Sequence, residues 1–302
     1  MKHSSETLLN NCPVCDSSSH AFFKEVTDHS VSQEVFKLHI CNDCGLVFTN
    51  PRPDEDSIGG YYESEEYISH SNTSKGLIAK IYQQVRSYTV KQKRKLVQSC
   101  NQGSSLRILD YGCGTGEFLN EMSSSGYHCT GIEPSEKASK FATKSYSLDV
   151  LKPEQLQSLP EASYDIITMW HVMEHVHDLN ETIQLLKQKL KKDGHLIIAV
   201  PNQSSWDACH YQDYWAAYDV PRHLYHFTSK SVGKLLSQHG FILSKILPMK
   251  WDAFYVSLLS EKYKKNPLGP LLAFIIGWRS NLAGMMNIKK YSSLIYIARS
   301  AH

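Results

Sequence analysis

The stretch "LRILDYGCGTGEFLNEM", Leu106 to Met122, constrains this chain more than any other. An apolar run ends in Asp110, glycines follow at 112, 114 and 116, and a helix-forming segment opens at Glu117. Glycines at a strand-to-helix turn let backbone approach a ligand where any Cβ would collide. The turn alone also fits a dinucleotide site, but three features argue against a nicotinamide cofactor. The G-C-G-T-G spacing is not the G-x-G-x-x-G that seats a pyrophosphate on a helix N-terminus. Asp110, just before the glycines, would repel a pyrophosphate and could accept from an ammonium group. The next apolar segment, "YHCTGIEPS", ends in Glu133, placed to accept from both hydroxyls of a ribose. A cofactor with an amino acid end, a ribose and no phosphate fits this arrangement.

Beyond this turn the chain alternates strand and helix patterns. "YHCTGI", "SLDV", "YDIITMW", "DGHLIIAVPN" and "FILSKILPMK" read as strands, with helices at "KASKFATKSY", "LNETIQLLKQKLKK" and "SKSVGKLLSQHG". "SSLIYIARS" closes the chain as a further strand. Such alternation predicts an α/β fold, a doubly wound, mostly parallel sheet with helices on both faces.

From Leu106 to His302 the chain resembles the class I S-adenosylmethionine-dependent methyltransferases, with "LDYGCGTGEFL" like their first motif and "GIEPS" like their second. The resemblance implies a seven-stranded Rossmann-like sheet with one antiparallel strand at the end, and S-adenosylmethionine as cofactor. It implies that the loop of Gly112, Cys113, Gly114, Thr115 and Gly116 approaches the methionine part, and that Asp110 supports the loop or the ammonium. Glu133, with Pro134, takes the ribose hydroxyls. Where the family commonly has an acidic residue at the adenine, this chain reads "KPEQLQSLP", so backbone at Gln155 and Leu156 is the expected contact, with Glu154 and the Gln155 side chain as alternatives.

Ahead of this domain, "CPVC" at 12–15 and "CNDCG" at 41–45 form two C-x-x-C knuckles. Four thiolates, Cys12, Cys15, Cys41 and Cys44, would close a tetrahedral shell around a structural zinc and leave no position for a reactive water. "AFFKEV" and "EVFKLHI" between the knuckles read as short strands of a zinc ribbon. His29 and His39 are weaker candidates to replace a cysteine. The expected organisation is a ribbon over 1–50, a linker or lid over 51–76 carrying Tyr61, Tyr62 and Tyr67, and the main domain over 77–302. The latter opens with an amphipathic helix whose basic run "KQKRK" at 91–95 reads as a solvated face.

Two segments carry candidate chemistry. "WHVMEH", Trp170 to His175, follows a strand, where open α/β sheets bind ligands. A chain leaving a strand does not hold residues four apart on one face, so His171 and His175 are not expected to share a metal ion. Trp170 and His171 are expected at the cofactor, with His171 facing the transferred methyl or the acceptor, and Glu174 and His175 opening the next helix. Downstream, "YWAAYDVPRHLYHF" concentrates Trp215, Tyr218, Asp219, Arg222, His223 and His226. His171, His223 and His226 are candidate bases, since an unperturbed imidazole takes a proton near neutral pH. Trp215, Tyr218, Asp219 and Arg222 are candidate acceptor contacts, Arg222 as a bidentate grip on carboxylate or phosphate. The competing reading is an aromatic loop with internal pairs such as Asp219 with Arg222.

A net charge of +2 over 302 residues lacks the global basic excess of a dedicated nucleic-acid binder. The N-terminus has no apolar signal segment and no window holds 18 consecutive apolar residues, so a cytoplasmic protein without a transmembrane segment is expected. "GPLLAFIIGWRSNLAGMM", 269–286, reads as a buried or dimer-forming helix, with interfacial membrane contact as the minority reading. The expected activity is methylation of a small-molecule acceptor, at oxygen, with sugar or cell-surface precursor chemistry as one setting. The rivals are an rRNA or tRNA methyltransferase and a non-catalytic interaction module; against the first, "TMWH" lacks an N-P-P-Y type motif.

Overall fold

The computed structural model describes residues 5–62, 77–100, 103 and 106–301. Tyr67 and the side chains of Leu77, Ile78 and Ile81 lie outside what it describes.

In chain order the strands are β1 (Glu6–Thr7), β2 (His20–Thr27), β3 (Val35–Cys41), β4 (Val47–Thr49), β5 (Arg52–Pro53), β6 (Arg107–Tyr111), β7 (His128–Ile132), β8 (Asp149–Leu151), β9 (Tyr164–Trp170), β10 (Leu190–Pro201), β11 (Tyr225–His226), β12 (Phe241–Pro248) and β13 (Ser293–Ser300). Seven of them form the main sheet in the order β12-β13-β10-β9-β6-β7-β8. The pairs β6/β7, β7/β8, β6/β9 and β9/β10 are parallel, while β13 runs antiparallel to both β10 and β12. This is the expected sheet, including its one antiparallel strand. β9 and β10 are near-continuous apolar runs because helices cover both faces. Ile167 and Ile198 are fully buried, and truncating either to alanine would cost about 2–5 kcal/mol.

The strand order reverses between β6 and β9. Connections leave these neighbours in opposite directions, opening a crevice outside their carboxyl ends. The glycine turn follows β6 and His171 follows β9, so the fold brings both to this crevice.

The ribbon hairpin, β2 with β3, extends through β4 to β11 in one four-stranded sheet. Since β11 comes from the main domain, with Phe48 opposite Tyr225 and Val47 opposite His226, the two units share a sheet. They also share a core: Cys12, Leu46 and Phe48 pack in one apolar cluster with Ile167, Ile198 and Tyr225. The segment after the ribbon is a strap, with β5 paired to β1 and Arg52 donating to the Tyr225 hydroxyl at 2.7 Å.

Two sequence expectations need correction. The basic run on the Leu77–Cys100 helix is not a uniformly solvated face: Lys91 and Lys95 are exposed, but Arg94 pairs with Glu121 at 3.0 Å and the Lys93 ammonium sits 4.5 Å above the Trp170 ring. The Gly269–Met286 helix is not buried. Its small residues and Ile276 turn inward, and most of its large apolar ones face out.

Candidate active site

The glycine loop is fixed by its own backbone. Gly112, Gly114 and Gly116 all have positive φ, at 77°, 56° and 84°. A Cβ on Gly112 would strike Val172, and one on Gly116 would strike Leu148 and Ala142, so two glycines are required by the protein's own packing. Gly114 differs, because a Cβ there would meet nothing within 4 Å. It faces the open cradle where a cofactor would lie. Its amide donates to Glu133 Oε2 at 2.8 Å, and the Ser135 amide donates to Oε1 at 2.9 Å. Each carboxylate oxygen keeps a lone pair for a ribose hydroxyl.

Asp110, 2% exposed, accepts from Thr168 at 2.5 Å. Burial pushes its pKa up to about 7, against the opposing pull of Thr168 and the Lys93 ammonium. A carboxyl held back from ionising in this way gains by pairing with a cationic ligand. Of the other expected cofactor residues, Thr115 donates to Glu117 at the helix start, Pro134 is exposed beside Glu133, and Trp170 meets Phe118 edge-on. Gln155 and Leu156 lie on a turn after β8, where the Gln155 amide oxygen accepts from the Lys152 N–H and Leu156 is buried. The Cys113 side chain packs over Gly131, so only its backbone faces the cradle.

Lys93 and Arg86, which the sequence did not single out, roof this edge. Arg86 reaches Glu117 at 2.7 Å and Thr115 at 3.3 Å.

At the carboxyl ends of β9 and β10 opens a cavity of about 810 Å³. Its floor is the strand ends at His171, Pro201 and Ser293. One wall is the cluster Glu174, His175, His223 and Asp219; another is His29, Ser30 and Gln33 of the ribbon. The third comes from the Asp252–Tyr263 helix, through Asp252, Tyr255, Val256, Leu259 and Tyr263. His29, weighed above as a zinc ligand, instead stacks between Tyr214 and Tyr263 with ring centroids at 5.3 and 5.0 Å.

His171 holds a positive φ of 58°, strained for a residue with a Cβ. Its Nε2 lies 2.9 Å from Asp252 and its Nδ1 3.4 Å from Glu174. Burial alone would push its pKa down, but these two carboxylates outweigh it and hold it at about 10. An imidazolium has no lone pair, so His171 does not fit the part of a base at neutral pH.

His175 and His223 differ. His175 Nδ1 lies 3.0 Å from the Arg222 carbonyl and from the Tyr62 hydroxyl. Burial, with His223 alongside, pushes its pKa down to about 4, so it is neutral. His223 Nδ1 donates to the Ala217 carbonyl at 2.9 Å. In the neutral ring that bond places the proton on Nδ1 and the lone pair on Nε2. The two rings meet edge-on at 4.6 Å, and donor atoms of Glu174, His175 and His223 lie within 4.8 Å of one another. His175 thus converges with His223 and not with His171, because Met173–His175 is a short turn and not the start of an α-helix.

Several expected acceptor contacts turn out to be scaffold. Arg222 is 1% exposed, and its guanidinium is consumed by Asp28 at 2.8 Å, Asp219 at 2.7 Å and the Tyr61 carbonyl at 2.9 Å. It clamps ribbon, strap and main domain together and has no fork to offer a substrate. Trp215 is buried and donates to Asp207 at 2.8 Å; Tyr218 packs edge-on between Trp215 and His226. His226 is buried away from the cavity, and burial drives its pKa well below the usual histidine range. Asp219 alone of the four faces the cavity. Asp252 carried no sequence signal, and Tyr62 and Lys93 were visible only as a lid tyrosine and part of a basic run, since each acts through a partner far along the chain.

In the ribbon, Cys12 and Cys44 sulfurs are 3.5 Å apart, as are those of Cys15 and Cys41, and all four lie within 4.8 Å. Sulfurs about 2.3 Å from a tetrahedral zinc would be about 3.8 Å apart, so the set fits that ion.

The family described as "Methyltransferase domain" matches residues 82–245, more than half of the chain. The chain belongs to that family and, with this sheet order and glycine loop, to the class I S-adenosylmethionine-dependent methyltransferases. Over 148 residues it is 31% identical to a ubiquinone biosynthesis O-methyltransferase of Rickettsia typhi, covering 46% of this chain and 59% of the relative. Over 132 residues it is 26% identical to a malonyl-[acyl-carrier protein] O-methyltransferase of Erwinia pyrifoliae, covering 43% and 50%. The chain thus spans about half the length of these curated relatives. The solved magnesium protoporphyrin IX methyltransferase of Synechocystis PCC 6803 with bound S-adenosylhomocysteine is similar in fold, with a TM-score of 0.55 at 14% identity. That match covers 82% of this chain and 100% of the other.

Proposed function

We propose that the protein transfers the methyl group of S-adenosylmethionine to a hydroxyl of a small-molecule acceptor bound in the cavity, with a sugar or cell-surface precursor as one setting. The observation that carries this reading is that the glycine turn after β6 and a cavity lined by His171, after β9, and by His223 open at the same carboxyl end of neighbouring strands. The names of the matched relatives support oxygen as the acceptor atom. The sulfonium supplies an already activated methyl carbon, so the residues mainly align the attacking atom. Gly112, Gly114 and Gly116 hold the methionine part, Asp110 its ammonium and Glu133 the ribose. His223 Nε2 would accept the proton of the acceptor hydroxyl, leaving the oxygen free to take the methyl group that bound S-adenosylmethionine would supply. His171, as a fixed cation between Asp252 and Glu174, orients the cluster. The four cysteines hold a structural zinc that keeps the ribbon wall of the cavity in place.

Calorimetric titration with S-adenosylhomocysteine tests the reading, with Gly114→Arg as control. One site per chain, lost in the variant, is expected; no binding by folded protein would overturn it. Screening sugar and phenolic hydroxyl acceptors then tests the acceptor class.

A further inference from the structure

Twelve of the nineteen exposed large apolar side chains among the described residues fall between Trp251 and Ile288. These residues form a helical hairpin, Asp252–Tyr263 followed by Gly269–Met286. The second helix is built inside out. Gly269, Ala273, Gly277, Ser280 and Gly284 turn inward, where a Cβ on Gly277 would strike Phe254 and one on Gly284 would strike Tyr291. Leu271, Phe274, Ile275, Trp278, Leu282 and Met285 stand on the opposite side, Phe274 65% and Met285 73% exposed. They recur at helical spacing and make one continuous stripe. Apolar stripes of this kind mark docking surfaces.

Charge decides the occupant. Lys250, Lys262, Lys264, Lys265, Arg279 and Lys289 are exposed on the hairpin and its flanks. The two acids of this region face inward, Asp252 toward His171 at 2.9 Å and the buried Glu261 toward Asn266 at 2.7 Å. The exposed charge is therefore all positive. A second copy docked by the same face would bring cations against cations, whereas an anionic bilayer surface complements both the stripe and its rim. No helix among the described residues is long and apolar enough to cross a membrane, so the contact lies in the interface plane.

We propose that this hairpin seats the enzyme on an anionic membrane surface, and that the acceptor is the polar head of a molecule with a long apolar tail. The second half rests on the reading of the cavity as the acceptor site. The hairpin's first helix supplies both: Tyr255, exposed, and Val256, Leu259 and Tyr263 line the cavity. A head group entering there would leave its tail beside the exposed stripe.

Vesicle flotation of the full chain tests the proposal, with phosphatidylcholine vesicles against the same vesicles containing phosphatidylglycerol. Binding to the anionic vesicles at least about tenfold tighter, weakened by salt, is expected. The double variant F274S/W278S should lose that binding while keeping its affinity for S-adenosylhomocysteine, which also shows that it folds. Equal or no binding to the two vesicle types would overturn the membrane assignment, as would a dimer in sedimentation that only this variant dissolves. Because cofactor affinity is read on the same samples, failure of the membrane assignment is distinct from failure of the methyltransferase reading. Turnover of tailed and tail-free versions of one acceptor head group on vesicles tests the second half, with equal turnover overturning it.

Discussion

The proposed cofactor edge and the proposed acceptor cavity share one end of the sheet, yet they are built in opposite ways. The cofactor edge is local: Asp110, the glycine loop and Glu133 come from one β-α-β unit, closed by hydrogen bonds within it. The cavity is assembled from the ribbon, three strand ends, the Met173–His175 turn, the Trp215–His226 loop and the hairpin. A local site can survive the loss of distant parts; an assembled one cannot. The Arg222 clamp, joined to Asp28 of the ribbon and to the Tyr61 carbonyl of the strap, is the point where that dependence concentrates.

The strongest test of this contrast is zinc withdrawal. A chelator should unfold the ribbon, since structural zinc contributes on the order of 10 kcal/mol to such modules. Acceptor turnover should collapse, and S-adenosylhomocysteine affinity, read by calorimetry, should fall by a much smaller factor, since the ribbon shares a core with the sheet but supplies none of the cofactor-edge residues. Equal loss of both would erase the distinction. Next comes Arg222→Ala, which strands two buried carboxylates and should cost about 3–5 kcal/mol in urea unfolding. A fall in acceptor affinity with stability intact would instead return Arg222 to the substrate.

Within the cavity, His223→Gln should lower kcat by about 100-fold or more, with the cofactor affinity unchanged. If turnover survives in His223→Gln but not in His171→Gln, the assignment of the base is wrong.

The smallest effect is a pH slope at the cofactor edge. Asp110 faces the Lys93 ammonium and the Glu133 carboxylate, and its folded pKa of about 7 lies above the ordinary 3.8. The folded protein binds this proton more tightly, so the contribution to stability is complete below about pH 4 and is lost as pH rises through 7. Asp110→Asn should flatten the decline in melting temperature between about pH 4 and pH 7, the window bounded by the unfolded and folded pKa values. An unchanged slope would show that Asp110 does not titrate there.

Legibility in the sequence follows the same divide. The glycine turn, Glu133 and the paired cysteines could be read because each is a short spacing with a geometric requirement. "WHVMEH" misled in one respect. Its two histidines do diverge on leaving β9, as the strand-end argument predicts, but His171 meets Asp252 from 81 positions away and becomes a cation. "DVPRHLYHF" was rich in chemistry, but nothing in its spacing separates His223, whose Nε2 reaches the cavity, from Arg222 and His226, which are buried scaffold. The apolar tail reads from composition as a buried or dimer-forming helix, and only packing shows that the small residues face in.

By itself, then, the sequence determined the sheet, the cofactor loop and the cysteine cluster, since periodicity and short spacings act over neighbouring residues. Only the tertiary structure decided which histidine keeps a lone pair, which arginine is a clamp and which helix face meets solvent. Those properties depend on burial and on charges brought together from distant segments, and no local pattern encodes them.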